Sequence, residues 1–219
     1  NKTRKNSERI YKSKNIKLTK CKSVFGANAS GKSNLVEAFQ FMQDMIEDGL
    51  PRGFSTKYFR LSKENQYLPS IFEIELLLND RKYIYGFSIK LNEGAIQNEW
   101  LYEISTTGIN KLIFQRNILK KEFITGEYFK DKEAILKIET YGKDSLDDSE
   151  ILFLNIINTN KSKMFTENIE LKIFRDIFTW FVFRLTISNP STILTGYPYF
   201  SDSNLNEIAE LLNALGTGI

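Results

Sequence analysis

The residues of this chain with the clearest capacity for chemistry lie in one nine-residue stretch: Gly26, Ala27, Asn28, Ala29, Ser30, Gly31, Lys32, Ser33 and Asn34. Two glycines separated by four residues, the second followed at once by lysine and serine, form the pattern G-x-x-x-x-G-K-[ST]. The chemistry this pattern serves is phosphate binding. Its glycines let backbone N–H groups turn inward around the α and β phosphates, and a helix starting at the lysine turns its positive N-terminal end toward the same charge. Lys32 is placed to reach the β and γ phosphates, with the Ser33 hydroxyl as a ligand for Mg²⁺. The expected ligands are ATP and Mg²⁺. Ala29 stands where many such loops have a further glycine, and its methyl group fits provided that position needs no positive φ.

Hydrolysis asks for more: an acidic residue at the end of a buried strand to hold the metal, and a group that orients water. The nearest sequence is LLLND, but Asp80 comes one residue late, between two alternating runs, and reads as a turn residue. Asp147 and Asp148 follow no strand. The chain has no histidine and a single cysteine, Cys21, which excludes the common zinc sites, histidine-based triads and an intrachain disulfide. No catalytic residue is assigned. The chain reads as an ATPase only when completed by segments that it does not show.

The elements around the loop follow from periodicity. CKSVFG, Cys21 to Gly26, reads as a short strand entering the loop. Behind it Leu35, Val36, Ala38, Phe39, Met42, Met45 and Ile46 recur at helical spacing, with Gly49 as C-cap and Pro51 preventing continuation. From Ser70 the period becomes two. Phe72, Ile74, Leu76 and Leu78 line one strand, Asn79 to Arg81 turn the chain, and Tyr83, Tyr85, Phe87, Ile89 and Leu91 line the next. After Asn92 to Gly94, a third strand sets Ile96, Trp100, Tyr102 and Ile104 on one side. A turn at Thr107 and Gly108 leads to a fourth strand, KLIFQR. Connections this short predict an antiparallel meander of about four strands.

Further on, Ile151, Leu152, Leu154 and Ile157 predict a short helix. A longer amphipathic one starts from an N-cap at Thr166 and carries Ile169, Ile173, Ile177, Phe181 and Leu185, widened by Phe174, Phe178 and Val182. A last helix is expected over 203–215. The expected organisation is a basic arm with the loop strand and helix over 1–56, the meander over 57–125 and a helical subdomain over 126–219.

Composition agrees with a soluble globular chain: 219 residues, 42% hydrophobic and 26% charged, with neither a signal peptide nor a membrane span in the sequence, so a cytoplasmic location is expected. The net charge of +3 is unevenly spread. Lys2, Arg4, Lys5, Arg9, Lys12, Lys14, Lys17, Lys20 and Lys22 face Glu8 alone over 1–22. Such an arm reads first as mobile and solvated, with contact to a nucleic-acid backbone as the alternative. The first residue is Asn and the last nine are LLNALGTGI, so both ends are expected to be cut from a longer chain.

GANASGKSNLVEA, then PSIFEIELLLNDRKYIYGFSI, then IQNEWLYE followed by IFQR resemble the N-terminal half of a family of bacterial ATPases. That family is related to the overcoming-lysogenization-defect proteins and, more distantly, to the SMC, Rad50 and RecF ATPases. The resemblance implies an α/β P-loop NTPase of ABC type, present in part, with an antiparallel meander and a helical insertion. It also implies heads that dimerise with ATP between them, and a role in anti-phage defence or abortive infection through a nuclease or toxin effector. The loop residues carry over, with Asn28 near the γ phosphate, the loop amides through Gly31, then Lys32, Ser33 and Asn34. A signature segment, an acidic metal-binding strand and a switch histidine do not appear in the sequence. Arg116 is read either as a contact to nucleotide or a neighbouring subunit, or as a solvated arginine at a strand end. Three other readings stand beside this one: a DNA repair head of RecF or Rad50 type, a small-molecule phosphotransferase, which the meander disfavours, and a non-enzymatic interaction module built on the aromatic helix.

Overall fold

The computed structural model describes residues 9–13, 16–105, 110–160, 164–165 and 168–188. The chain divides into two compact units, 1–186 and 187–219, and only the first is described in detail. The helix expected over 203–215, the N-cap expected at Thr166 and the turn expected at Thr107 and Gly108 lie outside the described residues, as do Lys2, Arg4, Lys5 and Lys14.

Part of the basic arm is ordered, contrary to its reading as a mobile segment. Strands β1 (Ile10–Ser13) and β2 (Ile16–Thr19) form a two-stranded antiparallel hairpin. Arg9, Lys12, Lys17, Lys20 and Lys22 are exposed around it. The hairpin is tied to the rest of the fold by the Ser13 hydroxyl, which donates to the Asp80 carboxylate.

The main sheet is antiparallel, with five strands in the order β3 (Ser70–Leu78), β4 (Arg81–Lys90), β5 (Ala95–Ile104), β6 (Lys111–Asn117) and β7 (Glu122–Thr125). Alternation sets its faces. Ile74, Tyr85, Leu101 and Phe114 stand opposite one another across four strands, while Trp100 and Tyr102 occupy the reverse face. Leu78 pairs with Arg81, so Asn79 and Asp80 alone make the turn, at φ 50° and 62°. Two left-handed residues give the turn the twist that a tight hairpin needs, and Asn and Asp tolerate that conformation best after glycine. Asp80 is thus the turn residue expected of it. The fifth strand has only four residues, too few for alternation to announce it. It exists because it pairs with the free edge of β6.

Four α-helices are described: α1 (Lys32–Glu47), α2 (Lys132–Asp144), α3 (Phe153–Asn158) and α4 (Lys172–Thr179). Helix α2 was not expected, because its core-facing positions are Ala134, Ile138 and Gly142, a stripe too small to register as apolar. Its start is nevertheless well specified: the Asp131 carboxylate accepts from the Glu133 amide. The single long helix expected up to Leu185 is instead a 3-10 turn (Ile169–Leu171), α4, and a π turn (Trp180–Arg184). Tight winding in the first turn takes Ile169 off the stripe and leaves it 78% exposed, whereas Ile173, Phe174, Ile177 and Phe181 are buried as expected.

These elements share one core. Phe41, Met42, Met45 and Ile46 of α1 lie in the same buried cluster as Phe87, Phe114, Phe153 and Phe174. Phe41, Phe72 and Phe87 stack in series, with ring centroids 4.9 and 5.2 Å apart, and Phe114 meets Phe153 at 5.0 Å. Rings offset or edge-on at such distances add to the gain from area burial alone.

Arg116 is neither a solvated strand end nor available to a ligand. It is fully buried, and its guanidinium donates to Glu99 and to the carbonyls of Ile151, Ser145 and Asp148. Glu99, equally buried, accepts from the amides of Phe153 and Leu154 at 2.6 and 3.0 Å and from the Tyr85 hydroxyl. Those amides open α3, where a carboxylate is favoured by the helix end. Burial pushes the Glu99 carboxyl above its ordinary range, against the opposing pull of Arg116, the two amides and Tyr85.

Candidate phosphate-binding loop

Residues 21–27 carry no ladder, so the strand expected at Cys21 to Gly26 is not formed. Among the described residues no strand runs beside it to take its hydrogen bonds, and Val24 and Phe25 are 55% and 90% exposed. The loop behind it is nonetheless shaped. Ala27 accepts from the Ser30 amide at 3.2 Å, which closes a turn. Ala29 adopts φ 62° and Gly31 φ 89°, so the loop reverses through two left-handed residues in three. Ala29 therefore does take the positive φ that its methyl group makes costly, at about 1–2 kcal/mol for a non-glycine residue. The strain is local, and an alanine bears it better than a branched residue would.

Gly31 is the N-cap of α1 and offers no side chain to the helix start. The first intrahelical bond runs from the Leu35 amide to the Gly31 carbonyl, at 3.2 Å. The amides of Lys32, Ser33 and Asn34 consequently have no acceptor within the helix, and the macrodipole adds its positive end beside them. Lys32 bends back across the loop, donating from Nζ to the carbonyls of Gly26 and Ala27, each at 2.8 Å. A cation held on the loop carbonyls beside the free amides of a helix start is the combination that suits an anion such as phosphate. At the first glycine, a Cβ on Gly26 would come within 2.5 Å of the Ser30 hydroxyl, which would have to rotate away. Ala27, Asn28, Ala29, Ser30, Ser33 and Asn34 are all exposed, with Gly31 and Lys32 partly covered.

The far end of α1 holds this arrangement in place. Its last turns are buried, and Asn155 donates to the carbonyls of Ile46 and Glu47 at 2.9 and 2.7 Å. Gln43 reaches the Phe181 and Leu185 carbonyls at 2.7 and 3.0 Å, joining the middle of α1 to the π turn. The loop is thus carried on the free end of an anchored helix.

The carboxylates considered for metal binding are engaged elsewhere. Asp80 takes the Ser13 hydroxyl, Asp147 pairs with Lys121 at 2.7 Å, and Asp148 accepts from the amides of Glu150 and Ile151. Hydrogen bonding and charge from Lys121 hold the Asp147 carboxyl below its usual range. Among the described residues no three of His, Cys, Asp and Glu gather as a metal site. Ser33 remains the hydroxyl suited to Mg²⁺, an ion commonly held by few protein groups together with phosphate oxygens and water.

Sequence reading missed the Glu99–Arg116 pair, because the alternation of Ile96, Trp100, Tyr102 and Ile104 points the third strand's apolar side away from Glu99. Only the register turns Glu99 to the core face: it lies opposite Phe87, and Arg116 is two residues from Phe114.

Taken together, a left-handed glycine loop, an uncapped helix start and a lysine folded over them define a P-loop domain of mixed α/β structure. Residues 23–129 match a family described as "AAA domain, putative AbiEii toxin, Type IV TA system", a little under half of the 219-residue chain, which supports a P-loop ATPase domain of the AAA type. No curated protein and no solved structure matches the chain. No helix among the described residues is long and apolar enough to cross a membrane.

Proposed function

We propose that this chain is the ATP-binding part of an ABC-type ATPase head, of the kind found in overcoming-lysogenization-defect-like defence proteins. It works in the cytoplasm, binds ATP with Mg²⁺, and pairs with a second head across the nucleotide to control a nuclease or toxin effector. The observation that carries the nucleotide reading is the Lys32 ammonium held over the loop carbonyls at the uncapped start of α1. Support for the defence role comes from the description of the matched family, which names a toxin of a toxin–antitoxin system. Gly26, Asn28, Gly31 and Asn34 cradle the phosphates, and Ser33 holds the metal.

A DNA repair head of RecF or Rad50 type is the second reading. The cross-strand pair Lys12 and Lys17 favours it, since like charges directly opposite one another on a hairpin repel unless an anion lies between them. The interaction-module reading loses its ground, because the stripe of Ile173, Ile177 and Phe181 is covered by the chain's own core.

Calorimetry with Mg²⁺ and ATP, with turnover measured alongside, tests the main reading. Binding without appreciable turnover is expected, and Lys32→Ala should abolish it. Rapid hydrolysis by the chain alone would refute the proposal that it is an incomplete head and would return attention to its carboxylates.

A further inference from the structure

The β1–β2 hairpin concentrates positive charge that its own fold does not balance. Residues 9–22 hold six lysines and arginines and no carboxylate. Lys12 stands directly opposite Lys17. The Lys20 amide donates to the Arg9 carbonyl at 2.8 Å, which carries the register one step further and sets Arg9 opposite Lys20. Side chains so placed across an antiparallel pair have their Cβ atoms about 5 Å apart, and like charges there destabilise the pairing. Strand alternation puts the first pair on one face with Ile10 and Thr19, and the second on the other with Tyr11 and Leu18. Both faces are thus cationic. Among the described residues no carboxylate pairs with Arg9, Lys12, Lys17 or Lys20. A two-stranded ribbon is marginal to begin with, and an anion lying along it removes the repulsion.

At its turn the hairpin borders a cleft of about 410 Å³ shared with the main sheet, in which Ile16 faces Asp80, Arg81, Lys82, Glu103 and Lys111. Cations outnumber carboxylates there three to two, and both carboxylates are engaged. Asp80 takes the Ser13 hydroxyl, and Glu103 takes Arg81 at 3.1 Å. Neither Lys82 nor Lys111 forms an ion pair with a described carboxylate. The cleft therefore extends the positive surface of the hairpin onto the sheet.

A bilayer reaches only one face of a hairpin, and a rigid duplex lies along one side of it. A flexible polyanion can pass round both. Tyr11, 49% exposed on the face of Arg9 and Lys20, adds a ring on which a base can stack beside two cations. We propose that the β1–β2 hairpin and its cleft bind the backbone of single-stranded nucleic acid, without regard to sequence. The proposal does not rest on the nucleotide reading, because no residue of the Gly26–Ser33 loop lines this surface, and it requires no repair function.

The test is fluorescence anisotropy on the whole chain without ATP, using an oligothymidylate of roughly 20 nucleotides that bears no terminal phosphate, longer than one site of this kind. The matching duplex serves as competitor, and phosphatidylserine vesicles are tried by sedimentation. The oligothymidylate should bind, its log affinity falling linearly with log salt concentration. Lys12→Gln with Lys17→Gln should lower that slope by about 1.4, the contribution of two phosphates on a single strand. Arg9→Gln with Lys20→Gln should do the same. Both double variants lose repulsion rather than contacts, so hydrogen exchange in β1 and β2 should slow in each, as it should when the oligothymidylate binds the unaltered chain. Tyr11→Ala should weaken binding about tenfold and leave the slope as it was. No binding at low salt, tighter binding of the duplex, binding of vesicles alone, or a slope that neither double variant changes would overturn the proposal. Lys32→Ala should keep the oligothymidylate while losing ATP. Loss of the oligothymidylate in that variant would put its phosphates in the loop, overturning the hairpin assignment and leaving the phosphate-loop reading intact.

Discussion

Arg116 and Glu99 carry the largest consequences of any single residues in this fold. Each is completely buried, and between them they satisfy three carbonyls and two amides of the segment that runs from the end of α2 into α3. Replacing Arg116 by methionine preserves much of the volume but strands a buried carboxylate. Removing one partner of a buried pair costs about 3–5 kcal/mol, which urea unfolding at neutral pH should register. The loss should also depend on pH. Arg116 is the strongest of the groups that lower the Glu99 carboxyl against burial, so without it that carboxyl titrates higher still in the folded state. A folded value above the unfolded one stabilises the fold below the unfolded value and loses that contribution as pH rises through the folded value. The deficit of Arg116→Met should therefore be smaller near pH 4 than at pH 7. A deficit unchanged across that range would mean that the lost carbonyl contacts, not the stranded charge, dominate. Ala29 is a residue-scale case of the opposite kind, in which the backbone accepts an unfavourable conformation so that the loop can close onto α1.

Among the elements, α2 shows how packing overrides propensity. Gly142 sits near its C-terminal end, and replacing a helical glycine by alanine ordinarily stabilises by roughly 1 kcal/mol. Here a Cβ would meet the Phe123 ring at 2.3 Å, because α2 lies directly against β7. Phe123 is itself held by Phe114 and Phe153, at 5.7 and 4.8 Å, and has little room to yield. Gly142→Ala should thus destabilise, by about 1–3 kcal/mol as overpacked cores do, with a lower midpoint in thermal or urea unfolding. A raised midpoint would show that the α2–β7 contact is looser than described. The same reasoning explains why β7 and α2 escaped sequence reading together: each is short or weakly apolar, and each is stabilised by the other's surface.

At the scale of the whole molecule, stability is unevenly distributed. The strands β4, β5 and β6 are paired on both sides and supply Tyr85, Phe87, Leu101 and Phe114, none of which is exposed. The β1–β2 hairpin has two strands of four residues, with Tyr11 and Leu18 nearly half exposed. Two-stranded hairpins are marginal without a covering surface. Native-state hydrogen exchange should accordingly find the slowest amides in β4 to β6 and the fastest described strand amides in β1 and β2. Strong protection of the hairpin would mean that something covers it in solution.

The sequence by itself determined what depends on neighbours along the chain. The loop from Gly26 to Ser33, the alternation of β3 and β4, the Asn79–Asp80 turn and part of each helical stripe, Met42, Met45 and Ile46 in α1 and Ile173 and Ile177 in α4, were legible, because periodicity and turn chemistry act over a few residues. Leu35 and Val36, expected on the α1 stripe, are instead 50% and 42% exposed. Tertiary structure decided what depends on residues far apart. Arg116 became a buried anchor only when Glu99 and the 145–154 segment closed around it, and the stretch after Cys21 remained without a ladder for want of a pairing strand among the described residues. The stack of Phe41 on Phe72 likewise belongs to no motif: α1 meets β3 through two rings distant in sequence, a contact that no local pattern encodes.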